Sequence, residues 1–119
     1  MLKKVAFTMY PVRDTARARA FYEQQLGLVP GSASSNGVWT EYDLPGGGCF
    51  ALFRAEDGGP GGGGGTIAFE VDDLDAMVAR LTEQGVTFKG PMVHSPVCRM
   101  SIIVDPEGNT VILHELKAR

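Results

Sequence analysis

Hydrophobic and polar positions alternate in short runs that are separated by turn-forming residues. Residues 2–10 are mostly apolar and β-favouring, and they predict a first strand that ends at Pro11. Asp14 is a good helix N-cap, and the apolar positions after it recur at helical spacing until Gly27, which predicts the helix end. Three more strands are predicted at residues 28–29, 38–44 and 49–53, with a polar loop at 30–37.

The second half of the chain repeats this β-α-β-β-β order. Asp73 lies 59 residues after Asp14, and Gly85 lies 58 residues after Gly27, so the starts and ends of the two predicted helices coincide. This spacing predicts an internal repeat. The strands predicted in the second half are residues 66–71, 86–89, 99–104 and 111–116.

The last of these strands follows the strongest turn signal in the chain. Residues 105–109 read DPEGN, in which proline presets φ and glycine or asparagine accepts the left-handed conformation. After the turn, alternation places Thr110, Ile112 and His114 on one face of the strand. What this face carries is therefore central to the predicted site.

Glycine and proline dominate residues 55–65, which predicts a flexible connector between module 1 (residues 1–54) and module 2 (residues 66–119) of a single domain, residues 1–119. The glycine run lacks a following Lys-Ser/Thr pair and precedes a strand, so a phosphate-binding loop is not favoured. Each module is too small to be stable alone, so two must pack together, within one chain or between chains.

Composition narrows the function class. Hydrophobic residues make up 44% of the chain, charged residues 21%, and the net charge is −3, which argues against a nucleic-acid surface. No apolar run is long enough to cross a bilayer, so we expect a cytoplasmic protein without a membrane partner. Cys49 and Cys98 fit that compartment as free thiols, and they would be reactive only beside a cation.

Three motifs together resemble the vicinal oxygen chelate superfamily, which includes glyoxalase I, bleomycin resistance proteins and extradiol dioxygenases. They are VRDTARARAFYEQQLGL (residues 12–28), FEVDDLDAMVARLTEQGV (residues 69–86), and Arg99 followed by DPEGNTVIL. The resemblance implies an α+β fold in which two βαβββ modules form a cupped mixed sheet, in a homodimer. It leaves open whether the chain is an enzyme, because the superfamily holds lyases, dioxygenases and pure binding proteins.

In the metal enzymes of this superfamily, four ligands come from the first and last strand of each module. The matching positions in this chain are Phe7, Ala51, Thr66 and Ile112. Only Thr66 carries a donor atom, so we expect no cofactor, or a divalent metal only at non-standard positions. The cup is then predicted to bind a small organic molecule.

Strand alternation from these four positions gives the predicted pocket. Its residues are Phe7, Met9, Trp39, Cys49, Ala51, Phe53, Thr66, Ala68, Glu70, Arg99, Ser101, Ile112 and His114. The aromatic side chains, together with Tyr42, would stack on a flat ligand or serve as simple core. Arg99 would be an anion clamp or part of a fold-supporting ion pair.

Glu70 and His114 are weak candidates for catalysis, because a diagonal placement about 7 Å apart would suit an acid/base pair or a displaced metal site. The alternative is a rim histidine beside a solvated carboxylate. Glu41, Asp43 and Glu70 would supply acidity for a cationic ligand. The leading hypothesis is a metal-free binding protein; the alternatives are a metal-dependent lyase or dioxygenase with displaced ligands, and a non-catalytic interaction or regulatory module.

Overall fold

The computed structural model describes residues 1, 5–54 and 66–117. The chain divides into two compact units, unit 1 (Met1–Gly62) and unit 2 (Gly63–Arg119). The predicted connector at residues 55–65 and the predicted start of the first strand at residues 2–4 lie outside the described residues.

Unit 1 contains a four-stranded sheet in the order β1-β4-β3-β2, with β1 parallel to β4 and the other neighbours antiparallel. The strands are β1 (Thr8–Val12), β2 (Pro30–Ala33), β3 (Trp39–Asp43) and β4 (Cys49–Arg54). The prediction that Pro11 ends the first strand is wrong. Proline is tolerated there because β1 is at the edge of this sheet, where a missing N–H need not break a ladder.

The helix of unit 1 begins as α1 (Thr15–Arg19) and continues as a π-helical segment, Ala20–Gln25. Asp14 caps it as predicted, because its carboxylate accepts the N–H of Arg17 at 3.0 Å. The wider turn is visible where the N–H of Leu26 donates to the carbonyl of Phe21, five residues earlier. Tyr22 lies in this π-helical segment and is fully buried. The centroid of its ring is 5.0 Å from that of Phe50 in β4.

Unit 2 contains a sheet in the order β5-β9-β8-β6, and β7 also pairs with β8. Its strands are β5 (Ile67–Glu70), β6 (Thr87–Phe88), β7 (Val93–His94), β8 (Cys98–Val104) and β9 (Thr110–Leu116). Its helix is α2 (Leu74–Glu83), capped by Asp73, which accepts the N–H of Ala76 at 3.1 Å. Gly85 has φ +78°, which fits its predicted role at the helix end.

Both units therefore pair their first and last strands in parallel, β1 with β4 and β5 with β9. The predicted α+β class is confirmed, with one mixed sheet in each unit. The strand predicted at residues 28–29 is wrong, because the strand in this region is β2, which lies in the stretch predicted as a polar loop. The short strand β7 was not predicted and lies between the strands predicted at residues 86–89 and 99–104. Across the part of the chain that the structure describes, no helix is long and apolar enough to span a membrane.

Candidate ligand-binding faces

The sheet of unit 1 has one face against the helix and one helix-free face. Tyr42 and Phe50 mark the helix side, because both rings contact Tyr22. Alternation then fixes the other side, where Met9 lies opposite Ala51 and Ala51 opposite Glu41. The helix-free face of unit 1 carries Phe7, Met9, Trp39, Glu41, Asp43, Cys49, Ala51 and Phe53.

Three aromatic rings meet on this face. The rings of Phe7 and Trp39 are edge-to-face with centroids 5.4 Å apart, and those of Trp39 and Phe53 are 6.5 Å apart. Phe7 is 48% exposed and the neighbouring Met9 is 42% exposed. Within unit 1, aromatic and apolar surface is therefore left accessible rather than placed under the helix.

Tyr42 does not belong to this aromatic group. Its side chain is fully buried on the helix side, where its hydroxyl donates to Glu23 at 2.9 Å. Burial, followed by the hydrogen bond to Glu23, raises the pKa of the Tyr42 phenol. The prediction that Tyr42 would stack on a ligand beside Trp39 is corrected, because the two residues differ by an odd number along one strand.

Carboxylates flank the aromatic rings. The indole Nε1 of Trp39 donates to Glu41 Oε1 at 2.8 Å, so the ring is held in one orientation. Asp43 lies opposite Cys49 in the β3–β4 register. Burial, followed by the charges of Glu41 and Asp43, raises the pKa of the Cys49 thiol. The helix-free face of unit 1 is thus aromatic with an acidic side.

The helix-free face of unit 2 places Glu70 and His114 in direct contact. They are in-register partners on β5 and β9, and His114 Nδ1 lies 2.6 Å from Glu70 Oε1, so the expected diagonal separation is wrong. The N–H of Leu116 donates to the other carboxylate oxygen at 3.0 Å. The hydrogen bond to Glu70 raises the pKa of His114, and the same bond, followed by that from Leu116, lowers the pKa of Glu70.

Arg99 and Ser101 do not share that face. In the β8–β9 register Arg99 lies opposite Glu115 and Ser101 opposite Leu113, on the side that packs against α2. Arg99 pairs with Glu115 at 2.6 Å and with Asp75 of α2 at 3.1 Å. Of the two roles considered for Arg99, the structure shows the ion pair. The alternate residues of β8 lie on the helix-free face, and they are Cys98, Met100 and Ile102.

The turn at residues 105–109 determines which side chains of β8 lie on the helix-free face. Asp105 is buried and accepts the N–H groups of Glu107 at 2.9 Å and Asn109 at 2.8 Å. This closed turn makes Val104 the partner of Thr110, and hence Ile102 the partner of Ile112. The turn length, read together with the strand, would have assigned Cys98 to the face of His114.

The remaining predicted pocket residues of unit 2 lie on or beside this face. Ala68 and Ile112 are in-register partners, and Thr66 precedes β5 with the same parity. Binding of a ligand by these residues stays a prediction. Phe7, Ala51 and Ile112 offer no donor atom and Thr66 offers one hydroxyl, so the four family positions do not fit a divalent metal.

No other donor set replaces them in residues 1, 5–54 and 66–117, where no group of three or more His, Cys, Asp or Glu side chains is arranged to hold a metal ion. Glu70 and His114 supply two donors, and each already engages the other. Glu70 and His114 are thus placed as a hydrogen-bonded carboxylate–imidazole pair.

In each unit the first strand pairs in parallel with the last strand of the same unit. This repeated arrangement defines a class of α+β proteins built from two modules. The chain belongs to the Glyoxalase/Bleomycin resistance protein/Dioxygenase superfamily, whose family model matches residues 4–113. The predicted resemblance is thereby confirmed. It covers almost the whole chain, and it establishes the family rather than an activity.

Three known proteins that are similar to this chain can be compared with it. A member of this superfamily from Sphaerobacter thermophilus DSM 20745 is 30% identical, with a TM-score of 0.79, covering 96% of this chain and 98% of that one. TnmS3, an antibiotic binding protein from Streptomyces sp. CB03234, is 27% identical, with a TM-score of 0.76 and 98% coverage of both chains. The anthracycline biosynthesis protein DauV of Streptomyces sp. (strain C5) is 32% identical over a match of 108 residues, and the match covers 87% of this chain but only 38% of DauV.

Proposed function

We propose that this protein binds a small organic molecule with a flat aromatic part, without the metal centre of the family's enzymes. The observation that carries the proposal is the aromatic group of exposed Phe7 and half-buried Trp39 and Phe53 on the helix-free face of unit 1. Ligand sites are mostly apolar and aromatic with a few placed polar groups, and this face has that composition.

The rings are suited to bind without rearranging. Trp39 is fixed by its hydrogen bond to Glu41 and by its edge-to-face contact with Phe7, so little conformational freedom remains to be lost on binding. A geometrically favourable aromatic contact contributes about 0.5–1.5 kcal/mol beyond the area it buries. Two or three such contacts support binding of a planar ring system.

The acidic side selects the charge of the ligand. Glu41 and Asp43 lie on the same face as the rings, and no basic residue shares that face among the described strand positions 39–43 and 49–53. A cationic group attached to the aromatic part would be attracted by both carboxylates. We therefore propose a planar compound that carries an amine.

The relatives support an antibiotic as that compound. TnmS3 is an antibiotic binding protein, and DauV is an anthracycline biosynthesis protein. Sequestration requires only a shaped binding site and no catalytic group, which agrees with the absence of donor atoms at Phe7, Ala51 and Ile112. This chain spans 38% of DauV, so we propose binding rather than a biosynthetic step.

The single tryptophan of the chain, Trp39, allows a direct test. Intrinsic fluorescence and calorimetry would be recorded while an anthracycline carrying an amino sugar is added, with a planar aromatic compound lacking the amine as comparison. We expect saturable quenching and heat for both probes, with tighter binding of the amine. Linear, unsaturable signals for both probes in both methods would overturn the proposal.

The proposed absence of a metal has its own test. Mass spectrometry of the untagged protein, followed by titration with nickel, zinc, iron and manganese, should give no stoichiometric metal. A stoichiometric metal that is lost in His114→Ala would instead favour an enzyme with displaced ligands.

We further propose that the protein acts as a cytoplasmic homodimer. Exposed apolar side chains on both helix-free faces, such as Met9 of unit 1 and Leu116 of unit 2, support an assembly that covers them. Both cysteines carry free thiols, which supports a reducing compartment. Light scattering after size exclusion should give twice the chain mass, and a chain mass at high concentration would contradict the dimer.

A further inference from the structure

A thiol lies at the end of the helix-free face of unit 2. Cys98 begins β8, opposite Leu116 of β9, and is 8% exposed. One pair further along, Met100 lies opposite His114. Cys98 and His114 are thus diagonal neighbours on one face, at a separation of about 7–8 Å between Cα atoms that their side chains can span.

Ser95 holds the thiol from the preceding loop. Its Oγ accepts the N–H groups of Val97 at 3.2 Å and Cys98 at 3.0 Å, and it lies 3.2 Å from Cys98 Sγ. Because Oγ already accepts two hydrogens, its own hydrogen is available to the sulfur or to the carbonyl of Cys98, 3.3 Å away. A thiolate at Cys98 therefore has a donor in place.

His114 is oriented by Glu70 in the manner of a base held by a carboxylate. Glu70 uses one oxygen for His114 Nδ1 at 2.6 Å and the other for the N–H of Leu116 at 3.0 Å, so its position is fixed. With Nδ1 engaged by Glu70, the remaining ring nitrogen, Nε2, is the one left for Cys98. The three side chains come from three adjacent strands, β5, β9 and β8.

The charges around Cys98 favour its ionised form. The hydrogen bond from Ser95 lowers the pKa of the Cys98 thiol, and His114 and Lys117 lower it further. Lys117 follows β9, and its Nζ donates to the carbonyl of Ser95 at 2.5 Å. Cys49 has the opposite environment, since burial and two carboxylates raise the pKa of its thiol.

We propose that Cys98, His114 and Glu70 form a nucleophilic thiol site that adds to α,β-unsaturated carbonyl compounds. The apolar surroundings suit such electrophiles, because Leu116 is 59% exposed directly opposite Cys98 and Val97, next to it in the chain, is 54% exposed. This site lies within unit 2 and does not rest on the aromatic face of unit 1 or on the function proposed for it.

The addition needs no oxidant or further reactant. The Cys98 thiol proton passes to His114 Nε2, and Glu70 stabilises the imidazolium through Nδ1–H. The sulfur lone pair forms a bond to the β-carbon, the carbon–carbon π bond breaks, and its electrons move to the carbonyl as an enolate. The imidazolium then returns the proton to the α-carbon, which leaves a neutral thioether.

The two cysteines of the chain provide an internal comparison. Full-length protein would be treated with a limiting amount of N-ethylmaleimide near pH 7, and each site quantified by peptide mass spectrometry over time. We expect Cys98 to react about tenfold faster than Cys49, although it is the more buried thiol, because reactivity follows the thiolate fraction. Equal rates, or faster labelling of Cys49, would overturn the proposal.

Variants separate chemistry from folding. Glu70→Gln should slow labelling of Cys98 about three- to tenfold and move the pH profile of that rate upward, while the rate at Cys49 stays unchanged. Glu83→Gln, on the exposed surface of α2, is the matched control. A Cys98 profile that is the same in Glu70→Gln and His114→Asn as in the wild-type protein would also overturn the proposal, with circular dichroism confirming that both variants fold.

Discussion

Arg99 and Glu115 lie opposite each other on β8 and β9, with 2.6 Å between Nη2 and Oε1. The second oxygen of Glu115 accepts the N–H of Leu74 at 2.8 Å, and the guanidinium also reaches Asp75. The pair therefore connects the first turn of α2 to the sheet. A carboxylate at a helix N-terminus is favourable, because it satisfies a free N–H and opposes the positive end of the helix dipole.

Glu115→Gln should lower the melting temperature by a few degrees at neutral pH and by less in acid. The N–H of Leu74, followed by Arg99, lowers the pKa of Glu115 in the folded protein. A carboxyl whose folded pKa is depressed contributes stability above its unfolded pKa and loses that stability as the pH falls through the folded pKa. Thermal melting of the wild-type and Glu115→Gln proteins across the acid range measures whether their melting temperatures converge as the pH falls.

Glu83→Gln serves as the control for this experiment, since Glu83 is an exposed residue near the end of the same helix. Its melting curve should follow that of the wild-type protein at every pH. A difference between Glu115→Gln and the wild-type protein that stays constant down to strong acid would contradict the ionic role of Glu115.

Phe7→Leu should weaken binding of an aromatic ligand about two- to twelvefold. The substitution keeps an apolar side chain but removes one ring contact, and this range corresponds to about 0.5–1.5 kcal/mol. Calorimetric titration measures the change in Kd. Val29→Ala shortens another exposed apolar side chain of unit 1, outside the aromatic group, and should leave Kd unchanged. Equal losses in both variants would count against the aromatic face as the site.

The double variant Glu41→Gln, Asp43→Asn should have two separate effects. Binding of an amine-bearing ligand should weaken, while binding of a neutral aromatic ligand stays the same, since only the charge attraction is removed. Labelling of Cys49 by N-ethylmaleimide should become faster, because both carboxylates raise the pKa of that thiol. Cys98 should keep its rate, and a change there would indicate a general loss of structure.

Glu70→Gln should lower the pKa of His114, because the hydrogen bond to Glu70 is the main cause of its rise. A histidine whose folded pKa is raised contributes stability below its unfolded pKa and loses it as the pH rises through the folded pKa. The stability difference between wild type and variant should therefore shrink as the pH rises through the folded pKa of His114. Nuclear magnetic resonance of the imidazole carbon protons follows the titration.

The chain has two histidines, so a His94→Gln variant assigns the signals. An unchanged titration of His114 in the Glu70→Gln protein would mean that the carboxylate does not hold the imidazolium in solution.

Local signals were sufficient to predict where the two helices begin and end. Asp14 and Asp73 cap the helices as predicted, and Gly27 and Gly85 both have positive φ at the predicted helix ends. These features depend on residues a few positions apart, which a sequence displays directly. β2 was missed because Pro30–Ala33 has no alternating apolar pattern, and the segment is a strand only through its backbone pairing with β3.

The candidate sites depend on distant pairings. Glu70 and His114 are 44 positions apart, and no turn fixes the parallel register of β5 and β9, so the sequence alone does not predict their direct contact. Arg99 was predicted on the wrong face of β8. The face on which each side chain of β8 lies depends on the length of the Asp105 turn, and alternation along the strand does not give that length. A reactive Cys98 requires a cation nearby, and His114 on the neighbouring strand β9 is placed to supply it. The sequence alone does not predict that these two side chains are close.

The parallel pairing that both units share has a consequence for where the two proposed functions lie. Pro11 and Phe53 are in-register partners on β1 and β4, as Glu70 and His114 are on β5 and β9. The equivalent in-register positions thus carry a proline and an aromatic ring in unit 1 and a carboxylate–imidazole pair in unit 2. Under the two proposals made above, ligand binding and thiol reactivity would therefore lie in different units, so we expect substitutions of Glu41 or Phe7 to leave the labelling of Cys98 unchanged.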